Sequence, residues 1–372
     1  MKILIVGGGL QGLSCGCSLY KNHEVSIVAD DLMCRRSRFF KNVYPNVKAD
    51  ESLFALLQKV QFDVIIPISD FTVPFISKNK SEIEKRFDVK CAVPDYDRVS
   101  QVEDKSRFMA FCEANNVPHP QTCVLNGDTL EQAAIKVGFP ALIKPDYSVG
   151  ARGITRVDSL GELEEKFSGI NEKFGTCTLQ ELIENQEYYY NVMLYRDKNG
   201  KIVSNAIIKI VRMYPIAAGS SSCCISVEND DLIRICSDCL DKLGWEGFAD
   251  FDVLQRLDNE EYKIIEINPR VPASLKGAAI SGVNFPEIIV NVVKGMDIPK
   301  QIYMAGKTMR YLGIDIMWFM KSPKRFAVRP SWFSFLGRSI YYQDIYKEDF
   351  STWWTWLAEG LLKLSKRNKR LR

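Results

Sequence analysis

The chain has 372 residues, of which 46% are hydrophobic and 26% are charged, and its net charge is +3. That length predicts two or three domains, and that composition is typical of an ordinary soluble protein. The small net charge gives no general case for nucleic-acid binding, no segment approaches the ~20 apolar residues of a membrane span, and the N-terminus does not resemble a signal peptide. We therefore expect a cytoplasmic protein.

The eleven cysteines and two histidines exclude two common site types. In a reducing compartment the cysteines are expected to be free thiols. Cys236 and Cys239 form a CxxC motif, but the surrounding pattern predicts a helix, and no second pair follows at zinc-ribbon spacing. His23 and His119 are expected in surface loops. The sequence therefore disfavours a zinc site and a histidine-based triad.

The N-terminal segment predicts a β-α-β unit. Its strand, glycine turn, helix and second strand are expected at residues 3–6, 7–12, 13–21 and 25–29. Gly7, Gly9 and Gly12 satisfy the GxGxxG pattern, with acids at 30–31, as in dinucleotide-binding proteins. An NAD-binding oxidoreductase is thus one hypothesis. The same turn is needed wherever a strand packs closely on the following helix, and no apparatus for hydride transfer follows.

A further strand at residues 64–68 ends at Ser69 and Asp70. Ligands gather beyond the carboxyl ends of strands in an open parallel sheet. Ser69, Asp70 and Gly9 are therefore candidates for holding a substrate carboxylate or amine. The alternative for Asp70 is a helix N-cap.

The middle of the chain predicts a small α/β lid. Lys105 opens a helix at 104–116, and a proline-containing link at 117–120 leads to the lid, which we place at 121–185. Helices are expected at 130–137 and 160–167, with strands at 141–145, 154–157 and 178–183. The first two of these strands flank a small-residue loop that contains Ser148, Val149, Gly150, Ala151, Arg152 and Gly153.

The larger half that follows the lid, residues 186–300, contains an acidic hairpin. Strands near 188–195 and 202–211 and helices at 231–242 and 286–294 are also expected there. Strands at 247–253 and 262–265 are joined by a polar turn. Asp252, Glu266 and Asn268 could share one face, because alternate residues of a strand do. These are hard oxygen ligands with Arg270 just beyond, as magnesium-bound polyphosphate requires.

Taken in order, these motifs resemble the ATP-grasp superfamily, most closely the carboxylate–amine ligases and the carbamoyl-phosphate-synthase-like proteins. The resemblance covers roughly residues 1–300. It implies an α/β fold with a Rossmann-like domain at 1–100 that does not bind NAD, a two-lobed ATP-grasp domain at 101–300, and a C-terminal extension at 301–372.

The resemblance also implies ATP as cofactor, with Mg²⁺ or Mn²⁺ held by Asp252, Glu266 and Asn268. The small-residue loop and the two lysines, Lys105 and Lys144, would hold the phosphates. Asp252 stands where relatives have Glu or Gln, and Val149 and Arg152 also depart from the usual loop.

Further roles follow from the same resemblance. The main chain around Glu181, Leu182 and Ile183 would contact the adenine, and Glu187 the ribose hydroxyls. Arg270 would stabilise an acyl phosphate and its transition state. Arg212 would add charge at the γ-phosphate.

We expect a ligase that phosphorylates a small-molecule carboxylate with ATP and transfers the acyl group to an amine. Three alternatives stay open: phosphorylation of bicarbonate as in carbamoyl-phosphate synthase, an NAD-binding oxidoreductase, and an inactive ATP-binding partner protein. A homodimer is expected, and no nucleic-acid partner.

Residues 301–372 are not explained by the resemblance. They contain Trp318, a basic and aromatic stretch to Phe335, and an end with Trp353 to Trp356 and six Lys or Arg among its last ten residues. This end is expected either to contact anionic lipid weakly as an interfacial helix or to pack on the protein with a solvated tail.

Overall fold

The computed structural model describes residues 1–126, 129–146, 153–185, 187–216 and 219–355. Those residues form three β-sheets of five, four and seven strands, with helices packed against them. The predicted α/β fold class is confirmed.

The N-terminal domain is built on a five-stranded parallel sheet of order β3-β2-β1-β4-β5. Ile3, Leu4 and Ile5 are fully buried because helices cover both faces of this sheet. The strands are β1 Lys2–Val6, β2 Glu24–Val28, β3 Asn42–Val43, β4 Val64–Pro67 and β5 Lys90–Cys91. The helices are α1 Gly9–Leu19, α2 Leu32–Arg36, α3 Glu51–Lys59, α4 Thr72–Lys78 and α5 Lys80–Phe87.

Two consecutive helices lead from this domain to the lid, which is a four-stranded antiparallel sheet of order β6-β9-β7-β8. Ala133, Leu163 and Phe167 of the lid helices pack with the sheet into a separate small core. The elements are α6 Tyr96–Glu103, α7 Lys105–Ala114, β6 Thr122–Leu125, α8 Leu130–Val137, β7 Ala141–Pro145, β8 Thr155–Val157, α9 Leu160–Phe174 and β9 Cys177–Glu181.

The largest body is a seven-stranded sheet of order β14-β13-β10-β11-β12-β15-β16. Its elements are β10 Tyr189–Arg196, β11 Ile202–Tyr214, β12 Ser220–Val227, α10 Asp230–Leu243, β13 Gly247–Gln255, β14 Tyr262–Asn268, α11 Leu275–Ile280, α12 Phe285–Val293, β15 Thr308–Arg310, α13 Leu312–Lys321 and β16 Ile340–Tyr342. One hydrophobic core joins this body to the N-terminal domain: Leu13 and Phe39 lie in the same cluster as Phe285 and Ile288.

The C-terminal extension completes the sheet beyond residue 300. Strand β15 pairs antiparallel with β12, and β16 pairs parallel with β15. Buried between α13 and the sheet, the Asp315 carboxylate pairs with two guanidinium groups, those of Arg212 and Arg310. The extension is therefore anchored by a buried Arg–Asp–Arg cluster.

The cysteine and histidine predictions have different outcomes. All eleven cysteines are free thiols, and Cys236 and Cys239 lie buried in α10 as expected. His23 lies in the loop between α1 and β2 as expected, but its side chain is buried against α12, with Nε2 3.1 Å from Glu287 Oε1. Its burial was not predicted because α12 is distant in sequence.

Candidate functional site

The acidic hairpin places four oxygen-bearing side chains on one face of the large sheet. Antiparallel pairing sets Asp252 opposite Glu266 and Asp250 opposite Asn268. A register shift follows Asp252, which marks a β-bulge there. The predicted face is therefore present, and it contains a third carboxylate, Asp250, that the sequence analysis did not select.

A chain of hydrogen bonds orients Asp252. The side-chain amide of Asn191, on the neighbouring strand β10, donates to Asp252 Oδ1. Ser274 Oγ in turn donates to Asn191 Oδ1 at 2.9 Å. Each polar group in this buried row has a partner, which holds the carboxylate in one orientation.

The three carboxylates are close enough to change one another's ionisation. Burial, together with mutual repulsion, raises the pKa of Asp250 and of Asp252 above the ordinary value for an aspartate. Burial would also raise the pKa of Glu266. The hydrogen bond with Asp252 and the charges of Lys105, Lys144 and Arg270 outweigh it, so the pKa of Glu266 is lowered.

This donor set fits a divalent cation. Within the part of the chain that the structure describes, Asp250 Oδ1 is buried without a hydrogen-bond partner. A cation would compensate that oxygen and the repulsion among the carboxylates. Over the same residues, no three Asp, Glu, His or Cys groups are already arranged around one point as a complete metal site. The side-chain oxygen of Asn268 would therefore have to contribute with the carboxylates.

Both predicted phosphate-binding lysines reach this acidic face. Lys144 lies on lid strand β7, and its ammonium donates to Gln180 Oε1 at 2.8 Å. Burial lowers the pKa of Lys144, and the charge of Glu266 opposes that effect. Lys105 begins α7 and donates to the Asp146 carbonyl at 3.4 Å. Two cations from different elements thus act on Glu266, and their predicted contact with phosphates stays a prediction.

The small-residue loop is described only at its end. Ser148, Val149, Gly150, Ala151 and Arg152 lie outside the described residues, so their predicted contacts stay predictions. Gly153 has φ +80°, and a Cβ there would lie 2.8 Å from Pro145 Cγ and 2.9 Å from Phe174 Cε2. Only glycine fits where the loop returns to the lid.

The predicted adenine-contacting segment begins at the end of β9. The Glu181 amide donates to the Gln121 carbonyl at 2.8 Å, and the Leu182 amide to the Pro140 carbonyl at 3.3 Å. The Glu181 carboxylate accepts a hydrogen bond from Arg256. Because these groups are engaged within the fold, the main chain of Ile183, whose side chain is buried, becomes the adenine candidate.

Glu187, the predicted ribose contact, is exposed and adopts φ +63°. Its carboxylate lies 2.9 Å from the ammonium of Lys324, which belongs to the C-terminal extension. Both side chains are about three-fifths exposed, with values of 60% for Lys324 and 63% for Glu187. The extension therefore reaches the edge of the predicted nucleotide site.

Arg270 connects the acidic face to the N-terminal domain. Its guanidinium donates to Asp70 Oδ1 and, at 3.3 Å, to Asn268 Oδ1. Asp70 is not the N-cap of α4, whose N-cap residue is Phe71. Ser69 instead bonds with Thr72, with 3.0 Å between the two hydroxyl oxygens. Asp70 is therefore held at the site, whereas the Ser69 hydroxyl helps to organise the start of α4.

The glycine turn of the N-terminal domain is closed by an acidic side chain. Asp31 Oδ2 accepts a hydrogen bond from the Gly9 amide at 3.0 Å, and Asp31 Oδ1 caps α2 through the Cys34 amide at 2.9 Å. A dinucleotide pyrophosphate would need the amides of this turn. Asp31 occupies that position, so the structure removes the main support for NAD binding and for a Gly9 amide that contacts substrate.

Arg212 does not join the acidic face. Its Nε and Nη2 donate to the two oxygens of Asp315 at 2.8 and 3.1 Å, and Nη1 donates to the Pro330 carbonyl at 2.8 Å. Only 1% of the side chain is exposed. The expected contact with a γ-phosphate has no support, because the guanidinium is committed to the extension, which the sequence resemblance did not cover.

Glu103, at the end of α6, is a second residue that sequence reasoning missed. Burial and the nearby charge of Asp70 raise its pKa to about 7. Its carboxyl is therefore near enough to Asp70 for the two charges to repel each other. No sequence spacing indicated this, because Glu103 and Asp70 are 33 residues apart in the numbering.

Comparisons with known proteins show similarity in sequence and in fold. Residues 102–274 match the family model for the ATP-grasp domain. The chain is 26% identical over 280 residues to a carbamoyl-phosphate synthase of Methanobrevibacter smithii, which covers 70% of this chain and 74% of the relative.

Two solved structures share the fold. One is the biotin carboxylase domain dimer of Hydrogenobacter thermophilus 2-oxoglutarate carboxylase, in complex with MgADP, ADP and bicarbonate: its TM-score is 0.69 at 14% identity, covering 82% of this chain and 73% of that one. The other is N5-carboxyaminoimidazole ribonucleotide synthetase of Thermotoga maritima. Its TM-score is 0.63 at 18% identity, and the match covers 82% of this chain and 79% of that one.

Proposed function

Because residues 102–274 of this chain are an ATP-grasp domain, we propose that the protein is an ATP-dependent ligase that joins a small-molecule carboxylate to an amine. ATP transfers its γ-phosphoryl group to the carboxylate oxygen, giving an acyl phosphate and ADP. The amine nitrogen then attacks the acyl carbon, phosphate leaves with the bonding electrons, and the nitrogen loses a proton.

The observation that carries this proposal is the arrangement of opposite charges around Glu266. Lys105 on α7, Lys144 on β7 and Arg270 after β14 all act on the buried Glu266 carboxylate, which lies opposite Asp252. Phosphoryl transfer needs this pattern, because catalysis comes mainly from positioning and from neutralising charge on the phosphate oxygens.

Each group has a definite part in the proposed reaction. Asp252, Glu266 and Asn268, with Asp250 in reach, would hold Mg²⁺, which supplies charge neutralisation when bound. Lys105 and Lys144 bind phosphate oxygens, and Ile183 and Glu187 bind adenine and ribose. Arg270, oriented by Asp70, stabilises the oxyanion of the acyl phosphate.

The test is release of ADP and phosphate in the presence of Mg·ATP and a panel of amino acids, hydroxy acids and keto acids, each with and without an amine. We expect at least one carboxylate to stimulate ADP release, and the matching amine to yield an amide. Stimulation by no member of the panel, in a protein that binds Mg·ATP, would contradict the carboxylate–amine assignment.

A second candidate reaction is phosphorylation of bicarbonate. It is favoured by the carbamoyl-phosphate synthase relative and by the bicarbonate in the Hydrogenobacter thermophilus structure. The same assay distinguishes it through a bicarbonate arm: ADP release that requires bicarbonate and no other carboxylate selects this reaction.

We further propose that the protein is a cytoplasmic homodimer, since the Hydrogenobacter thermophilus domain is a dimer. Light scattering after size exclusion measures its mass. Weak contact of the C-terminal end with anionic lipid also stays a proposal, because residues 356–372 lie outside the described residues. No helix of the described part is long and apolar enough to cross a membrane.

A further inference from the structure

Helix α13 and the loops after it carry an exposed apolar surface, which we call the aromatic patch. Its members are Ile316, Met317, Met320, Phe326, Phe333 and Leu336. The exposed fractions of the last four are 62%, 74%, 58% and 92%. Phe326 and Phe333 stack with 6.3 Å between their ring centroids, and large exposed apolar side chains grouped in this way mark an interaction surface rather than ordinary scatter.

Helix α13 is apolar on both sides. Its inner face buries Trp318 beside Asp315, and its outer face presents Ile316, Met317 and Met320. A helix that is apolar all round is normally covered on every side. The inner face packs on the large sheet. The outer face therefore requires a binding partner that lies outside the described residues.

The patch is held in a fixed arrangement. The Phe319 ring stacks on Trp332 with 4.1 Å between centroids, and the rings of Phe326 and Phe333 lie 5.6 and 5.7 Å from it. The buried Arg212–Asp315–Arg310 cluster holds the inner face of α13 on the large sheet. Docking therefore costs little side-chain entropy, because these rings are already ordered.

Charge identifies the kind of cover. Between Asp315 and Asp344 the chain has no acidic residue and five basic ones, Lys321, Lys324, Arg325, Arg329 and Arg338. The Arg325 guanidinium lies 5.5 Å from the centre of the Phe326 ring. Lys324 is paired with Glu187, so four cations of this segment have no acidic partner within it. Exposed apolar side chains on a segment that carries only cations are complementary to an amphipathic anionic surface.

A second copy of the chain fits this surface poorly. A two-fold interface brings the same patch of each subunit together, so the cations of one patch would face the cations of the other. A lipid surface with anionic headgroups instead takes phenyl and leucine side chains at the acyl boundary and attracts lysine and arginine to its phosphates.

We propose that the aromatic patch docks on an anionic lipid surface. Phe326, Phe333 and Leu336 enter the headgroup region, and the surrounding lysines and arginines contact lipid phosphates. This surface is distinct from the C-terminal end and from the chemistry of the ATP site. Lys324 links the two regions, since it also pairs with Glu187.

The experiment is co-sedimentation of the full chain with phosphatidylcholine vesicles that do or do not contain phosphatidylglycerol. We expect pelleting that requires phosphatidylglycerol and falls as salt increases. The double variant Phe326→Ser/Phe333→Ser should lower the partition coefficient at least about tenfold. Lys321→Gln/Arg329→Gln should lower it by about fivefold for each charge removed.

Matched controls lie elsewhere on the surface. Val124→Ser/Ile135→Ser removes two apolar side chains that are 48% and 79% exposed, and Lys59→Gln/Lys85→Gln removes two exposed charges. Both should pellet like the wild type. Thermal melting establishes that each variant is folded.

Three outcomes would overturn the proposal. The first is no pelleting at low salt, or equal pelleting of the patch variant and the wild type. The second is binding that is abolished in a chain ending at Thr355 yet preserved in the patch variant, which assigns binding to the C-terminal end alone. The third is conversion of a dimer to a monomer in the patch variant without any vesicle binding, which assigns the patch to a second copy of the chain.

Discussion

Glu266 is the residue on which most of the site's charges act. Burial would raise its pKa, but the hydrogen bond with Asp252 and the charges of Lys105, Lys144 and Arg270 outweigh burial, so its pKa is lowered. Burial and the repulsion of Glu266 raise the pKa of its neighbours Asp250 and Asp252. Glu266 is thus the carboxylate of this face whose charged form the surroundings favour.

Replacing Glu266 by Ala should lower turnover at least ~100-fold, the scale of losing one electrostatic stabiliser, with the fold intact. Asn268→Ala should be milder because it removes a neutral ligand. The exposed hairpin residue Glu261→Ala is the control, and steady-state ADP release is the measurement. Turnover by Glu266→Ala at the wild-type rate would disprove the assignment.

Glu103 is a single residue that makes the free energy of unfolding depend on pH. Its pKa in the folded protein is about 7, above the ordinary 4.5, because burial and Asp70 disfavour the charge. Below pH 4.5 the group is protonated in both states. As pH rises to 7 the unfolded chain releases this proton first, so the stability that Glu103 contributes is lost across that window.

The variant Glu103→Gln should abolish this dependence. The difference in free energy of unfolding, variant minus wild type, should be larger at pH 8 than at pH 4. Urea unfolding at each pH measures it. The exposed Glu164→Gln is the control and should show a constant difference. A Glu103→Gln difference that is independent of pH would contradict the account.

At the scale of elements, the acidic hairpin was predictable because a period of two residues is a strong local signal. Asp250 obeys the same period as Asp252 and could have been selected with it. The extension was not predictable: β15 has only three residues, and its partner β12 lies far away in sequence. Arg212 was misassigned for that reason, since its partner Asp315 belongs to the extension.

The buried Arg212–Asp315–Arg310 cluster gives a test at this scale. Asp315→Ala leaves two guanidinium groups buried without their carboxylate and should lower the free energy of unfolding by about 3–5 kcal/mol. Arg212→Ala should be similarly destabilising. The control is Asp231→Ala, which breaks the exposed ion pair with Arg234 and should cost less than about 1 kcal/mol.

Denaturant unfolding of these variants decides between two roles for Arg212. A structural role predicts a large loss of stability in both Arg212→Ala and Asp315→Ala. Full stability of Arg212→Ala, with turnover greatly reduced, would instead restore the γ-phosphate role.

At the scale of the whole molecule, a shared core joins the N-terminal domain to the large sheet and brings Asp70 to Arg270. The lid brings Lys144 to the same place from the other side. The site therefore depends on all three parts of the chain. The glycine turn contributes to the packing of the N-terminal domain, and its Gly9 amide donates a hydrogen bond to Asp31.

The choice of nucleotide most directly tests the claim that the three parts of the chain together form an ATP site. A ligand at a hundred times its Kd stabilises a protein by about 2.7 kcal/mol, so binding raises the melting temperature. We expect Mg·ATP to raise the Tm of the wild type, to have a much smaller effect on Lys144→Met, and NADH to have none. A rise with NADH and none with Mg·ATP would contradict the account.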